Sequence, residues 1–143
     1  MFKMTLEYPN FVGEKVTETL RFNFSEDEML LLAKDDPEFN ALYISTMLHE
    51  EETMKMYMLL RKLVLLSYGE LSDDAKHFRK SEQITTDFRQ SAAFDKVIDK
   101  FVGEDAEKTI NEFIYNVFPS KFAEEIKKHN VEGIKSIEDF KNR

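Results

Sequence analysis

The sequence predicts a mainly α-helical fold of the α+β class, with an N-terminal β-hairpin followed by a bundle of about five to seven short helices. Two observations lead to this prediction. Apolar and polar residues alternate near the N-terminus, as they do in strands with one buried face. Farther along, capping residues precede apolar residues spaced three and four positions apart, which is helix periodicity. The 143 residues suit one modest core.

The hairpin is predicted from two alternating stretches separated by turn residues. Pro9-Asn10 and Gly13 supply the turn chemistry. The apolar positions that share one face are Phe2, Met4, Leu6 and Tyr8 in the first stretch, and Val16, Leu20, Phe22 and Phe24 in the second. An isolated hairpin is marginal in water, so this face is expected to cover helices or another subunit.

The first two helices are predicted from their start signals. Ser25 followed by Glu28 forms a capping box ahead of an apolar run. Asp36-Pro37 restarts a helix, because proline suits a first turn. This second helix is expected to fray or break around residues 49–52.

The third helix, about Thr53 to Tyr68, is apolar on most sides, and Gly69 is expected to end it as the C′ residue. A helix that is apolar nearly all round is either the centre of a fold or half core and half interface. Its methionines favour core filling, but Met-rich surfaces also bind varied helices, and both interpretations stay open.

Later helices are predicted after Ser81, Ser91 and Asp105, with Gly103 ending the second of them. The predicted domain covers residues 1–119. Residues 120–143 are more highly charged and are predicted to form a C-terminal extension of one or two short helices, loosely attached or docked on a partner.

Composition excludes several kinds of chemistry. The chain has no cysteine, so thiol catalysis and thiolate metal sites are impossible. Its three histidines lack metal-ligand spacing, and its four glycines are too scattered to form a phosphate loop. Adjacent carboxylates diverge instead of converging in a cleft. We therefore predict no enzyme, no cofactor and no metal; a small hydrolase is a third option without a candidate residue.

Charge and hydropathy limit the classes of binding partner. A formal net charge of −8 argues against nucleic acid, and the apolar runs are too short to span a membrane. No signal peptide is predicted at the N-terminus. Residues 76–80 form a basic island in which Phe78 is expected to anchor a loop to the core; contact with an acidic partner or nucleic acid is the alternative.

One ordered series of residues resembles the tail assembly chaperones of long-tailed bacteriophages. It comprises Ser67-Tyr68-Gly69, Asp73-Asp74, Phe78, Lys80-Ser81-Glu82, Phe88, Gln90-Ser91 and Phe94. The resemblance extends from the hairpin to Pro119. The chain differs at Ala75-Lys76-His77, where relatives often carry glycine followed by basic residues, and it continues past the point where similar proteins often end.

The resemblance implies a non-enzymatic protein of the host bacterial cytoplasm that is absent from the mature virion. Such chaperones coat the tape-measure protein, keep it soluble and help recruit tail-tube subunits, and self-association along the client is expected to add avidity. Many have a frameshifted longer form. A slippery run encoding Lys127-Lys128 is a hypothesis that the nucleotide sequence would test.

Candidate site residues follow from these interpretations. The surface facing the client is predicted to include Met54, Tyr57, Met58, Tyr68, Phe78 and Phe88. The residues expected to shape the connecting loop are Gly69, Asp73, Lys80 and Ser81. The alternative function is a small acidic regulator that inhibits a host protein or mimics the charge of nucleic acid. Binding by such a mimic should weaken steeply with salt, whereas apolar binding should not.

Overall fold

The computed structural model describes the backbone of residues 1–141 and the side chains of residues 1–130. It confirms the mainly helical α+β fold with an N-terminal hairpin. In chain order the described elements are β1 (Phe2–Pro9), β2 (Lys15–Phe22), α1 (Glu26–Asp35), α2 (Ala41–Met47), α3 (Thr53–Ser67), β3 (Tyr68–Leu71), β4 (Phe78–Arg79), α4 (Glu82–Arg89), α5 (Ala92–Val102), α6 (Ala106–Val117) and α7 (Ser120–Lys141).

The hairpin forms half of a four-stranded antiparallel sheet with the order β1-β2-β3-β4. Its register runs from Phe2 opposite Phe22 to Pro9 opposite Lys15. The predicted apolar face is mostly buried, and Glu18 is its charged member. The Tyr8 hydroxyl donates to Glu18 Oε2 at 2.6 Å, and this hydrogen bond is the main reason that the pKa of Tyr8 rises to about 12.

Aromatic rings fill the space between this sheet and the helices. Phe22, which is 1% exposed, lies within about 6 Å of the rings of Phe88 and Phe113. A second group is centred on Phe24, which stacks on Phe118 at 5.3 Å and meets Phe39 edge-on. Rings in edge and offset contacts supply large buried area, and this accounts for a core rich in phenylalanine.

One predicted helix boundary was wrong. The second helix begins at Ala41 and not at Pro37, because the Asn40 side chain accepts from Tyr43 N and caps it there. Gly69 directly follows the C-cap residue Tyr68 and so occupies the C′ position as predicted, but it is extended within β3 and not in the left-handed conformation typical of a C′ glycine. The break between α2 and α3 falls where it was predicted.

The charged segment after Pro119 is a single helix, α7, and not two short ones. Its first half is amphipathic, with Ala123 and Ile126 buried against the rest of the protein, so this part is firmly packed. It contacts α2 and α6. The domain boundary at residue 119 stays a prediction. The apolar positions Val131, Ile134, Ile137 and Phe140 lie outside the described side chains, and residues 142 and 143 lie outside the described residues altogether.

Candidate functional site

The N-terminal half of α3 and the adjacent α2 form an exposed apolar surface. Met54 and Met58, four residues apart and therefore on one helix face, are 61% and 55% exposed. Tyr43 of α2 is 37% exposed, and Met47 lies buried beside it. Together they line an open groove of about 470 Å³. We call these four residues the methionine groove.

A charged network forms one rim of the methionine groove. Lys62 Nζ lies 2.5 Å from Asp36 Oδ2 and 2.8 Å from Glu38 Oε1, and the Tyr43 hydroxyl donates to Glu38. Partial burial opposes a charge on Lys62, but the two carboxylates outweigh burial and raise its pKa. The hydrogen bond from Lys62 lowers the pKa of Asp36. Lys62 and Asp36 therefore hold each other ionised at neutral pH.

The other predicted contact residues lie elsewhere. Tyr68 stacks on Phe88 with ring centroids 3.9 Å apart, and burial raises the pKa of Tyr68. Phe88 is only 4% exposed and belongs to the aromatic core. Phe78 is half-buried over Gly69. Because α3 rises 1.5 Å per residue, this group sits about 20 Å from Met54.

Tyr57 is half-buried and does not line the methionine groove. The six predicted residues thus occupy separate parts of the molecule. Met54 and Met58 present apolar surface to solvent, and Phe88 does not.

The predicted loop-shaping residues include one that links distant parts of the chain. Lys80 Nζ donates to the Asn23 carbonyl at 2.5 Å and to Glu28 Oε2 at 2.6 Å, above the Phe24 ring. Burial lowers the pKa of Lys80. Ser81 caps α4 by accepting from Ile84 N.

The turn between β3 and β4 is held by Asp74 and not by Asp73. Asp74 Oδ1 accepts from the Ser72 hydroxyl and from Lys76 N, whereas the equally exposed Asp73 carboxylate has no hydrogen bond or ion pair among the described residues. The Ser72 bond is the main cause of the lowered pKa of Asp74.

The described part of the chain contains no group of three or more His, Cys, Asp or Glu residues that could hold a metal ion. Within the same residues, no helix is both long and apolar enough to cross a membrane. What the methionine groove offers is adaptable apolar contact area beside a fixed charged rim, which is suited to binding a macromolecule.

Comparison with known proteins decides the family. A family model described as phage tail assembly chaperone matches residues 1–142. The chain belongs to the phage tail assembly chaperone family. No curated protein and no solved structure matches.

The family match supports a general, non-catalytic role for this chaperone in the assembly of phage tails. It includes α7, so the segment beyond Pro119 lies within the family region. The chaperone's partners are accordingly tail-related proteins.

Sequence reasoning missed some of this chaperone's exposed apolar residues. Tyr43 was assigned to a helix but not to the binding surface, and a Tyr among apolar neighbours gives no signal of its exposure. Leu30 and Leu31 follow the Ser25 cap in an apolar run that resembles core, yet they are 74% and 62% exposed. Only the direction in which α1 packs distinguishes them from buried Met29.

Proposed function

We propose that this chaperone binds the tape-measure protein of its phage, keeps it soluble and assists assembly of the tail tube. It acts in the cytoplasm of the host bacterium and is absent from the mature virion. The observation that supports this proposal is the exposed methionine groove on a member of the tail assembly chaperone family.

The methionine groove suits a helical client. An amphipathic helix presents apolar residues every three or four positions, and a groove between two helices receives them as anchors. Met54 and Met58 are flexible enough to fit successive client segments that differ in sequence. Such contacts are individually weak, which favours many copies along one client over one tight complex.

The proposal extends to two further partners. Copies of the chaperone associate with one another along the tape measure, because neighbouring copies raise the effective concentration for binding. Tail-tube subunits are recruited to the coated client. Client binding itself involves the methionine groove together with the predicted residues Tyr57, Tyr68 and Phe78.

A rival function rests on the net charge of −8. An acidic regulator would bind a basic host protein mainly by charge. Salt separates the two functions, since screening weakens exposed ion pairs but leaves apolar contacts intact.

The experiment is co-expression of the chaperone with the tape-measure protein of the same phage. We expect the tape measure to become soluble and to co-elute with the chaperone in both low and high salt. A tape measure that stays insoluble would contradict the proposal, as would a complex that dissociates in high salt.

A further inference from the structure

The outer edge of β1 is open. β1 is the first strand in the sheet order, and β2 is its only strand partner among the described residues. No backbone group of another described element hydrogen-bonds to it. An eight-residue edge of this kind offers a ready template for another strand.

The alternation of hydrogen bonds identifies which backbone groups face this edge. At the end of the hairpin, Asn10 N donates to Glu14 O, so the even-numbered residues of β1 are the ones bonded to β2. The odd-numbered residues Lys3, Thr5 and Glu7 therefore direct their N–H and C=O groups outward. Pro9 fits this pattern, because its missing N–H would have faced the edge.

The side chains along the edge are self-complementary. If two copies of β1 pair antiparallel about Thr5, Thr5 faces Thr5 and Lys3 of each copy faces Glu7 of the other. Opposite charges directly across a ladder are stabilising. This register also pairs the outward backbone groups of all three residues, giving about six hydrogen bonds.

The charge pattern inside one copy favours the same partner. Lys3 lies directly opposite Arg21 on β2, a like-charge pair that is unfavourable. Within the described side chains, none of the ion pairs includes either cation. Glu7 forms an ion pair with Lys15 and is 54% exposed, so it can also receive a cation from the side of the open edge.

We propose that the open edge of β1 pairs antiparallel with β1 of a second copy of this chain, about a two-fold axis at Thr5. Two four-stranded sheets then form one continuous sheet. This inference deepens only the self-association part of the proposed function. It is tested on the purified chaperone without client. The β1 pairing can therefore fail while tape-measure binding holds, and tape-measure binding can fail while the β1 pairing holds.

Charge reversal gives the first test, by sedimentation over a concentration series. Lys3→Glu and Glu7→Lys each turn two attractive pairs into repulsive ones, so we expect the dimer dissociation constant to rise about tenfold or more. An equimolar mixture of the two variants restores both attractive pairs and should dimerise like the wild type. Lys34→Glu makes the same charge change at an exposed lysine of α1, outside the sheet, and should have a smaller effect.

Crosslinking gives a second test, in a chain that has no native cysteine. Thr5→Cys places two thiols on residues whose Cα atoms lie about 5.5 Å apart in the proposed pair. Thr17→Cys on β2 is equally exposed on the same face, but its two copies lie at least three strand spacings, about 14 Å, apart. A thiol crosslinker too short for that separation should link only the Thr5→Cys variant.

Three results would overturn the proposal. One is a wild-type chain that stays monomeric throughout the concentration series. Another is a dimer whose dissociation constant is unchanged by either charge reversal, and whose two variants dimerise no more tightly when mixed than each does alone. The third is equal crosslinking of the two cysteine variants, each checked for folding by circular dichroism.

Discussion

The absence of a side chain at Gly69 lets β3 and β4 pair closely beneath Phe78. A Cβ at this position would lie 2.6 Å from Phe78 Cε2 and 2.9 Å from the Arg79 carbonyl oxygen. Gly69→Ala is therefore expected to destabilise the protein by about 1–3 kcal/mol, because the ring and the β4 backbone must move. Urea unfolding measures this.

The double variant Gly69→Ala/Phe78→Leu is the matched control for that clash. Removing the ring relieves part of the crowding, so the two substitutions should be less than additive. A Gly69→Ala variant as stable as the wild type would show that the packing of Phe78 over Gly69 leaves room for a methyl group.

Ala75 is the converse case, a side chain at a position where the backbone favours glycine. Its φ of 61° lies in the left-handed region, where a Cβ is unfavourable. We expect Ala75→Gly to stabilise the protein by about 0.5–1 kcal/mol, the strain relief exceeding the added chain entropy.

Ala33→Gly is the comparison for Ala75→Gly, because Ala33 is exposed within the regular helix α1. There the same substitution should cost about 1 kcal/mol. Thermal unfolding should show a higher melting temperature for Ala75→Gly and a lower one for Ala33→Gly. A loss of stability in both variants would contradict the strain at Ala75.

At the scale of elements, the Lys62 network joins α3 to the segment between α1 and α2. We expect Lys62→Met to destabilise the protein by about 1 kcal/mol at pH 7, because Asp36 and Glu38 lose their shared cation. The pKa of Asp36 is depressed in the folded state, so its contribution is complete above the ordinary value of 3.8 and is lost as pH falls through the depressed pKa.

Urea unfolding at several pH values tests this sign. The stability gap between the wild type and Lys62→Met should be constant from pH 7 to pH 5 and should shrink below the ordinary Asp36 value. A gap that widens in acid would mean that Asp36 is not held ionised by Lys62.

Elements with strong local signals could be predicted from the sequence. Ser25, Ser81 and Ser91 cap helices as expected, since a hydroxyl one residue before a helix satisfies its free N–H groups. Strands β3 and β4 could not be predicted. Four and two residues are too few to show alternation, and these strands exist only because β2 offers an edge and Phe78 covers Gly69.

At the scale of the whole molecule, the candidate site was only partly predictable. The apolar surplus of α3 indicated more than one contact face, and Met54 and Met58 are indeed exposed. Phe88 was assigned to the same surface, yet it stacks within the core. Its burial depends on how α4 turns onto the sheet, which the local sequence of an eight-residue helix does not reveal.

The most direct test of the central claim measures tape-measure binding by a variant of the methionine groove. Met54→Gln/Met58→Gln should weaken binding about tenfold or more and return the co-expressed tape measure to the insoluble fraction, since two apolar anchors are lost. Val102→Gln, at an equally exposed methyl-bearing residue of α5, should bind like the wild type. Unchanged binding by the double variant, or an equal loss in the Val102→Gln control, would contradict the account.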